Sequence, residues 1–126
     1  MRECGMLLPV ASLPSRYGIG AFSKEAYDFI DTLKAAGQSF WQILPLGPTG
    51  FGDSPYQSFS AFAGNPYFID LEKLTEEGLL TREECLDADF GNDERDIDYK
   101  KIYDGRFPLL RKAYERWKEG RSPELV

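Results

Sequence analysis

Apolar residues fall in short unbroken runs near the start of the chain and in spaced stripes later, and the two patterns predict different elements. Gly5-Met6-Leu7-Leu8-Pro9-Val10 is a continuous apolar run. Such a run predicts a strand covered on both faces, as in a parallel sheet. Ala11 to Gly20 is dense in Ser, Pro and Gly and predicts a loop. Beyond it Ala26, Phe29, Ile30 and Leu33 recur at helical spacing. Ser23 stands where an N-cap belongs, and Glu25 lies in the first turn, where the helix dipole favours a carboxylate. Gly37 stands where a left-handed C-terminal cap belongs. Ser39-Phe40-Trp41-Gln42-Ile43-Leu44-Pro45 is a second strand-like run. Strand, loop, helix, strand is a βαβ unit with parallel strands and a right-handed crossover. Two strands leave both outer edges unpaired, so the pattern calls for neighbours.

From Leu46 to about Phe68 no periodicity is visible, and a loop of that length is usually functional or disordered. Its aromatic content argues against disorder. Leu71 to Glu77 predicts a short helix ended by Gly78, and Thr81 with Glu84 predicts a capping box on a second one. A last amphipathic helix is predicted to begin near Pro108, a good first-turn residue, and to end at Gly120. Leu110, Ala113, Tyr114 and Trp117 would form its apolar face.

Composition narrows the function. The chain has 126 residues, enough for one small core, with 42% hydrophobic and 29% charged residues. Its net charge of −6 lacks the basic footprint of a nucleic-acid-binding protein. No apolar run is long enough to span a bilayer, and Pro9 interrupts the only candidate h-region, so a cytoplasmic protein without a membrane partner is expected. Cys4 and Cys85 lie in unrelated segments and read as inert thiols. The absence of histidine removes Ser-His and Cys-His nucleophile pairs and the commonest metal sites.

The chemistry points to the loop from Leu46 to Tyr67, which leaves the C-terminal end of a predicted parallel strand, where sites of α/β barrels gather. A pyranose has an apolar C–H face and a rim of hydroxyls. Phe51, Tyr56 and Tyr67 could stack on the face, while Asp53, Ser54, Gln57 and Asn65 could pair with hydroxyls. The plainer reading makes the aromatics a local core that pins the loop, and it is favoured for Phe59, Phe62 and Phe68. Asp53, between Gly52 and Ser54, more often organises a turn than serves a site. Glycoside chemistry needs two carboxylates, ~5–5.5 Å apart in a retaining enzyme. No convincing pair is visible: Asp53 and Asp70 are candidates by elimination, and Asp28 and Asp31 read as solvated helix-surface residues.

The run Leu7-Leu8-Pro9-Val10-Ala11-Ser12-Leu13-Pro14-Ser15-Arg16-Tyr17-Gly18-Ile19-Gly20 resembles the opening of the amylomaltases, glycoside hydrolase family 77. Trp41-Gln42-Ile43-Leu44-Pro45-Leu46-Gly47-Pro48-Thr49-Gly50 resembles the same family, as does Gly52-Asp53-Ser54-Pro55-Tyr56 through Asn65-Pro66-Tyr67, and the likeness extends to Asp98-Tyr99 and Tyr103. Long motifs in the right order are far more specific than one short pattern. The resemblance implies an α/β fold, the N-terminal portion of a (β/α)8 TIM barrel. Residues 1–126 would be an N-terminal fragment of one catalytic barrel domain, with its first two strands, the helix between them and inserted helical segments.

The implied activity is transfer of a segment of an α-1,4-glucan to the 4-position of an acceptor glucan or glucose, by a retaining double displacement without metal or cofactor. The partners would be maltooligosaccharides, α-1,4-glucans and the rest of the chain's own barrel. By similarity Tyr56 matches a tyrosine that stacks beside the cleaved bond and Ser54 a hydroxyl contact near it, and Asp53 is counted with them as a substrate-binding residue. A second glucan groove would be built on Phe51 and Tyr103. Phe51 departs from the tyrosine of better-known members, keeping the stacking face and losing the hydroxyl. The nucleophile, the acid/base and a third carboxylate are expected beyond Val126, so the piece alone is expected to be inactive. The competing expectation is a stand-alone, non-catalytic carbohydrate-binding or accessory module, which would leave the βαβ edges uncovered.

Overall fold

The computed structural model describes residues 1–50 and 52–120. The chain divides into two compact units, Met1–Ile69 and Asp70–Val126.

In the first unit, β1 (Gly5–Leu7) and β2 (Phe40–Gln42) pair in parallel, with Met6 opposite Trp41. The hydrogen bonds run past the strand ends: Ser39 N–H donates to Cys4 O at 2.8 Å and Leu8 N–H to Gln42 O at 3.0 Å. The chain crosses between them through α1 (Lys24–Ala35), as parallel pairing requires. Both strands are shorter than their apolar runs. Val10–Ser12 is already a turn of 3₁₀-helix, so the first run ends as a strand at Leu7. Proline at position 9 has no N–H to give to a ladder.

The core of this unit is Val10, Leu13 and Ala26, with Leu8, Phe29, Trp41, Ile43, Leu46 and Phe68 packed around it. Burying side chains of the Val and Leu type stabilises by ~1.5–3 kcal/mol each. The Trp41 ring meets Phe29 edge-on, with centroids 5.1 Å apart, and its Nε1–H donates to Leu8 O at 2.9 Å. One side chain thus ties both strands to α1. The strands themselves are not covered as predicted: Met6, Leu7 and Phe40 are exposed. Each strand has one paired edge, in a sheet of two strands among the described residues.

The helix signals hold with one adjustment. Gly37 has φ 74°, the left-handed conformation a Cβ would penalise. Ser23 occupies the N-cap position, but its hydroxyl donates to the Glu25 carboxylate at 2.7 Å instead of accepting a backbone N–H.

In the second unit, α2 (Leu71–Glu76) is capped by Asp70, whose Oδ1 accepts from Glu72 N–H at 3.1 Å. The α3 helix (Arg82–Asp87) carries the predicted capping box between Thr81 and Glu84. Burial pushes the Cys85 thiol above its ordinary range, consistent with an inert side chain. The last helix, α4, runs from Tyr99 to Glu119 and encloses Pro108 instead of starting at it. Its N-cap is Asp98, which accepts from Lys101 N–H at 3.2 Å. The buried stripe is Ile102, Arg106, Leu109 and Ala113. Of the predicted face only Ala113 belongs to it, while Tyr114 and Trp117 are exposed. Arg116 binds Glu84 through two nitrogens at 2.9 and 2.7 Å and also donates to Leu79 O at 3.1 Å, joining α4 to α3. No helix among the described residues is long and apolar enough to cross a membrane.

Candidate functional site

The loop after β2 is ordered by its own backbone and hydroxyls. Its ends meet where Asn65 N–H donates to Leu46 O at 2.7 Å. Asn65 then caps the 3₁₀ turn Pro66–Phe68, its Oδ1 accepting from Tyr67 N–H at 2.9 Å. Inside that frame Thr49 and Ser58 form an antiparallel bridge. Gly47 lies so close to the returning strand that a Cβ there would stand 2.5 Å from Ser58 Oγ and 2.8 Å from Ser58 Cβ. Ser58 Oγ donates to Ser60 O at 2.8 Å and accepts from Ser60 N–H at 3.2 Å. Ser60 Oγ accepts from Ala63 N–H at 3.1 Å and Phe62 N–H at 3.3 Å. Hydroxyls do here what a regular element would otherwise do.

The predicted residues fall at the tip of this loop. Asp53 has φ 52°, its N–H donates to Gly50 O at 3.1 Å, and its Oδ1 accepts from the Thr49 hydroxyl at 3.2 Å. This is the turn-organising arrangement. Ser54 Oγ accepts from Tyr56 N–H at 3.3 Å, so Ser54 sets the backbone from which the Tyr56 ring projects. That ring is 72% exposed. Phe51 lies outside the described residues. Tyr103 sits on α4 in the second unit, exposed, its ring 4.8 Å from that of Phe107. Of the other candidate carboxylates, Asp70 is spent on the α2 cap, and Asp28 pairs with Lys24 at 2.6 Å on the surface of α1.

The aromatic residues of the loop divide differently from expectation. Tyr67 and Phe68 are the inward pair: Tyr67 is buried and Phe68 packs against the core, 6.2 Å edge-to-face from Phe22. Phe59 and Phe62 are not core residues, being 78% and 101% exposed. Hydrophobic type alone misplaced them, because serine hydroxyls rather than buried rings hold this loop.

Between the strand end and the loop lies an open hollow of about 590 Å³. Pro45, Leu46 and Gly47 line it from the end of the strand, and Tyr56, Ser58, Ser60 and Phe62 line it from the loop. Among the described residues no charged side chain lines it, in a chain where such residues make up 29%. A neutral, amphipathic guest such as a sugar ring suits those walls. Gly47, Ser58 and Ser60 escaped the sequence reading, and Phe62 was read as core. The only available signal was the spacing of serines 54, 58 and 60 between aromatic residues.

Parallel strands joined by a helix, with a long ordered loop leaving the second strand, are the construction of an α/β barrel enzyme with its site at the strand ends. A family profile described as 4-alpha-glucanotransferase, glycoside hydrolase family 77, matches residues 8–125, and the chain belongs to that family. It is 56% identical over 118 residues to a 4-alpha-glucanotransferase of Streptococcus pneumoniae, covering 94% of this chain and 23% of the relative. It is 51% identical over 123 residues to that of Thermus thermophilus, covering 98% of this chain and 24% of the relative. The structure superposes with a TM-score of 0.92, at 45% identity, on an amylomaltase from Streptococcus agalactiae solved in complex with acarbose, covering 96% of this chain and 24% of that one. The chain therefore spans about a quarter of the length of these relatives and has the fold of part of a (β/α)8 barrel enzyme.

Proposed function

We propose that this chain is the donor-side part of a 4-α-glucanotransferase, which transfers a segment of an α-1,4-glucan to the 4-hydroxyl of an acceptor glucan or glucose. The observation that carries the reading is the uncharged hollow at the end of β2, with the exposed Tyr56 ring on its wall, in a chain of this family. The acarbose complex of the Streptococcus agalactiae relative supports a glucan-type ligand.

In a retaining double displacement a carboxylate attacks C1 and the C1–O4 bond breaks, with a proton from a second carboxyl passing to the departing O4. The acceptor's 4-hydroxyl then attacks C1, returns its proton to that second group and frees the nucleophile. The two carboxylates are assigned to the part of the enzyme outside this quarter. Tyr56 contributes a π-face, which holds the C–H face of the glucosyl unit and favours the positive charge that develops at C1. Ser54 positions Tyr56 and offers a hydroxyl to the sugar rim, and Asp53 holds the turn on which both sit. Phe51 and Tyr103 are assigned to a second glucan-binding groove.

The exposed Met6, Leu7 and Phe40 and the two unpaired strand edges support a need for the rest of the barrel and count against a stand-alone module. Two free cysteines suit a reducing, cytoplasmic setting.

A chimaera tests the function. Residues 1–120 replace the matching quarter of the Streptococcus agalactiae amylomaltase, and maltotriose is supplied. Glucose plus maltooligosaccharides longer than the substrate is the expected outcome. Glucose and maltose alone would show hydrolysis instead, and a folded but inactive chimaera would remove the donor-side assignment.

A further inference from the structure

We infer that Phe62 is a second stacking platform of the hollow and a specificity-determining residue for the glucosyl unit bound there; this rests on the glucan-binding reading above. Among the described residues Phe62 is the most exposed aromatic side chain of the loop, at 101% of its reference area, yet its backbone is held by hydrogen bonds. Its N–H and that of Ala63 both donate to Ser60 Oγ, and Ser60 is in turn held by Ser58. An exposed ring on a secured backbone presents a large apolar face at little ordering cost on binding. Phe62 lines the same hollow as Tyr56, and Pro55, Ala61, Ala63 and Gly64 around them are small or flat. That leaves the two rings as the broad surfaces there. A pyranose ring has two faces, and the hollow has two aromatic side chains to offer. Phe59, equally exposed in kind, is not part of the lining. Phenylalanine has no hydroxyl, so Phe62 offers the guest only its ring face, which suits the C–H face of a sugar.

The test uses the chimaera described above. F62A is expected to lower kcat/KM for transfer from maltotriose about tenfold, the value of one lost aromatic contact. F62Y or F62W should restore most of it, F62L should not, and F59A should leave activity unchanged. Parent-like activity in F62A, or full rescue by F62L, would overturn the inference, the latter by showing that any apolar side chain serves. Y56A separates the two readings: if Y56A is impaired while F62A is not, only the role of Phe62 falls. If Y56A matches the parent, the donor-side assignment itself falls. A readout free of catalysis is the affinity of the chimaera for acarbose, measured by calorimetry: F62A should weaken it about tenfold, and an unchanged affinity would again overturn the inference.

Discussion

Asn65 and Leu46 stand at opposite ends of the loop that carries the candidate site, and the Asn65 N–H donates to the Leu46 carbonyl oxygen at 2.7 Å. Tyr56 and Phe62 of this loop line one hollow together with Pro45, Leu46 and Gly47, which follow β2. A flexible loop would have to be ordered by the ligand, at a cost in affinity. Here the main chain and three serine hydroxyls have already set it.

Gly47→Ala tests whether that closure matters. The added Cβ would stand 2.5 Å from Ser58 Oγ and 2.8 Å from Ser58 Cβ, so the Thr49–Ser58 bridge must open or shift. Overpacking of this kind costs about 1–3 kcal/mol. The expected result is a lower thermal midpoint in the chain and a raised KM for maltotriose in the chimaera. An unchanged KM would show that the loop does not need this close approach.

Acid should weaken the second unit through Glu84. Two nitrogens of Arg116 hydrogen-bond its carboxylate and hold it at about 2, well below the ordinary 4.5. Thr81 N–H and Lys112 act in the same direction. A carboxylate depressed on folding contributes stability that is fully present above its ordinary value and is lost as pH falls through its folded value. The Glu84–Arg116 contribution should therefore decline between about pH 5 and pH 2. Asp89, lowered by its bond to Lys101, adds a slope of the same sign. Urea midpoints followed across that range should fall, and Glu84→Gln should flatten the fall. An equally steep fall in Glu84→Gln would assign it elsewhere.

Asp98→Ala should destabilise α4 by about 1 kcal/mol, the usual worth of an N-cap, because Asp98 Oδ1 accepts from Lys101 N–H. Pro108→Ala should instead raise the thermal midpoint, since Pro108 sits inside the helix and has no N–H to donate toward residue 104. If α4 began at Pro108, Asp98→Ala would cost little and Pro108→Ala would not stabilise.

The βαβ order, the Gly37 cap, the Thr81 capping box and the Gly78 stop were legible in the sequence because each is set by local backbone chemistry. The start of α4 was not. Gly105 and Pro108 punctuate it, and the buried stripe that overrides them passes through Arg106, a residue that no apolar pattern would count. The aromatic residues of the site loop were half legible. Phe68 packs inward as read, whereas Phe59 and Phe62 do not, because whether a ring is covered depends on where the loop returns. Tyr56, Ser54 and Asp53 were nominated by the loop's composition and again by family resemblance, and the hollow beside Tyr56 was not readable at all.

The proposed glucan-binding roles of Phe51 and Tyr103 have their own test. In the chimaera, Phe51→Ala or Tyr103→Ala should weaken binding of long glucan by about tenfold, the scale of one stacking contact, and spare maltotriose. Equal losses on both substrates would place these residues elsewhere in the enzyme.

The most direct measurement is the rate of transfer from maltotriose in the chimaera with and without Tyr56→Ala. The parent chimaera should produce glucose and longer maltooligosaccharides. Loss of the Tyr56 ring should lower kcat/KM for transfer by about tenfold or more, with the fold intact by circular dichroism. Unchanged kinetics in Tyr56→Ala would contradict the assignment of this loop to the donor side of a glucanotransferase.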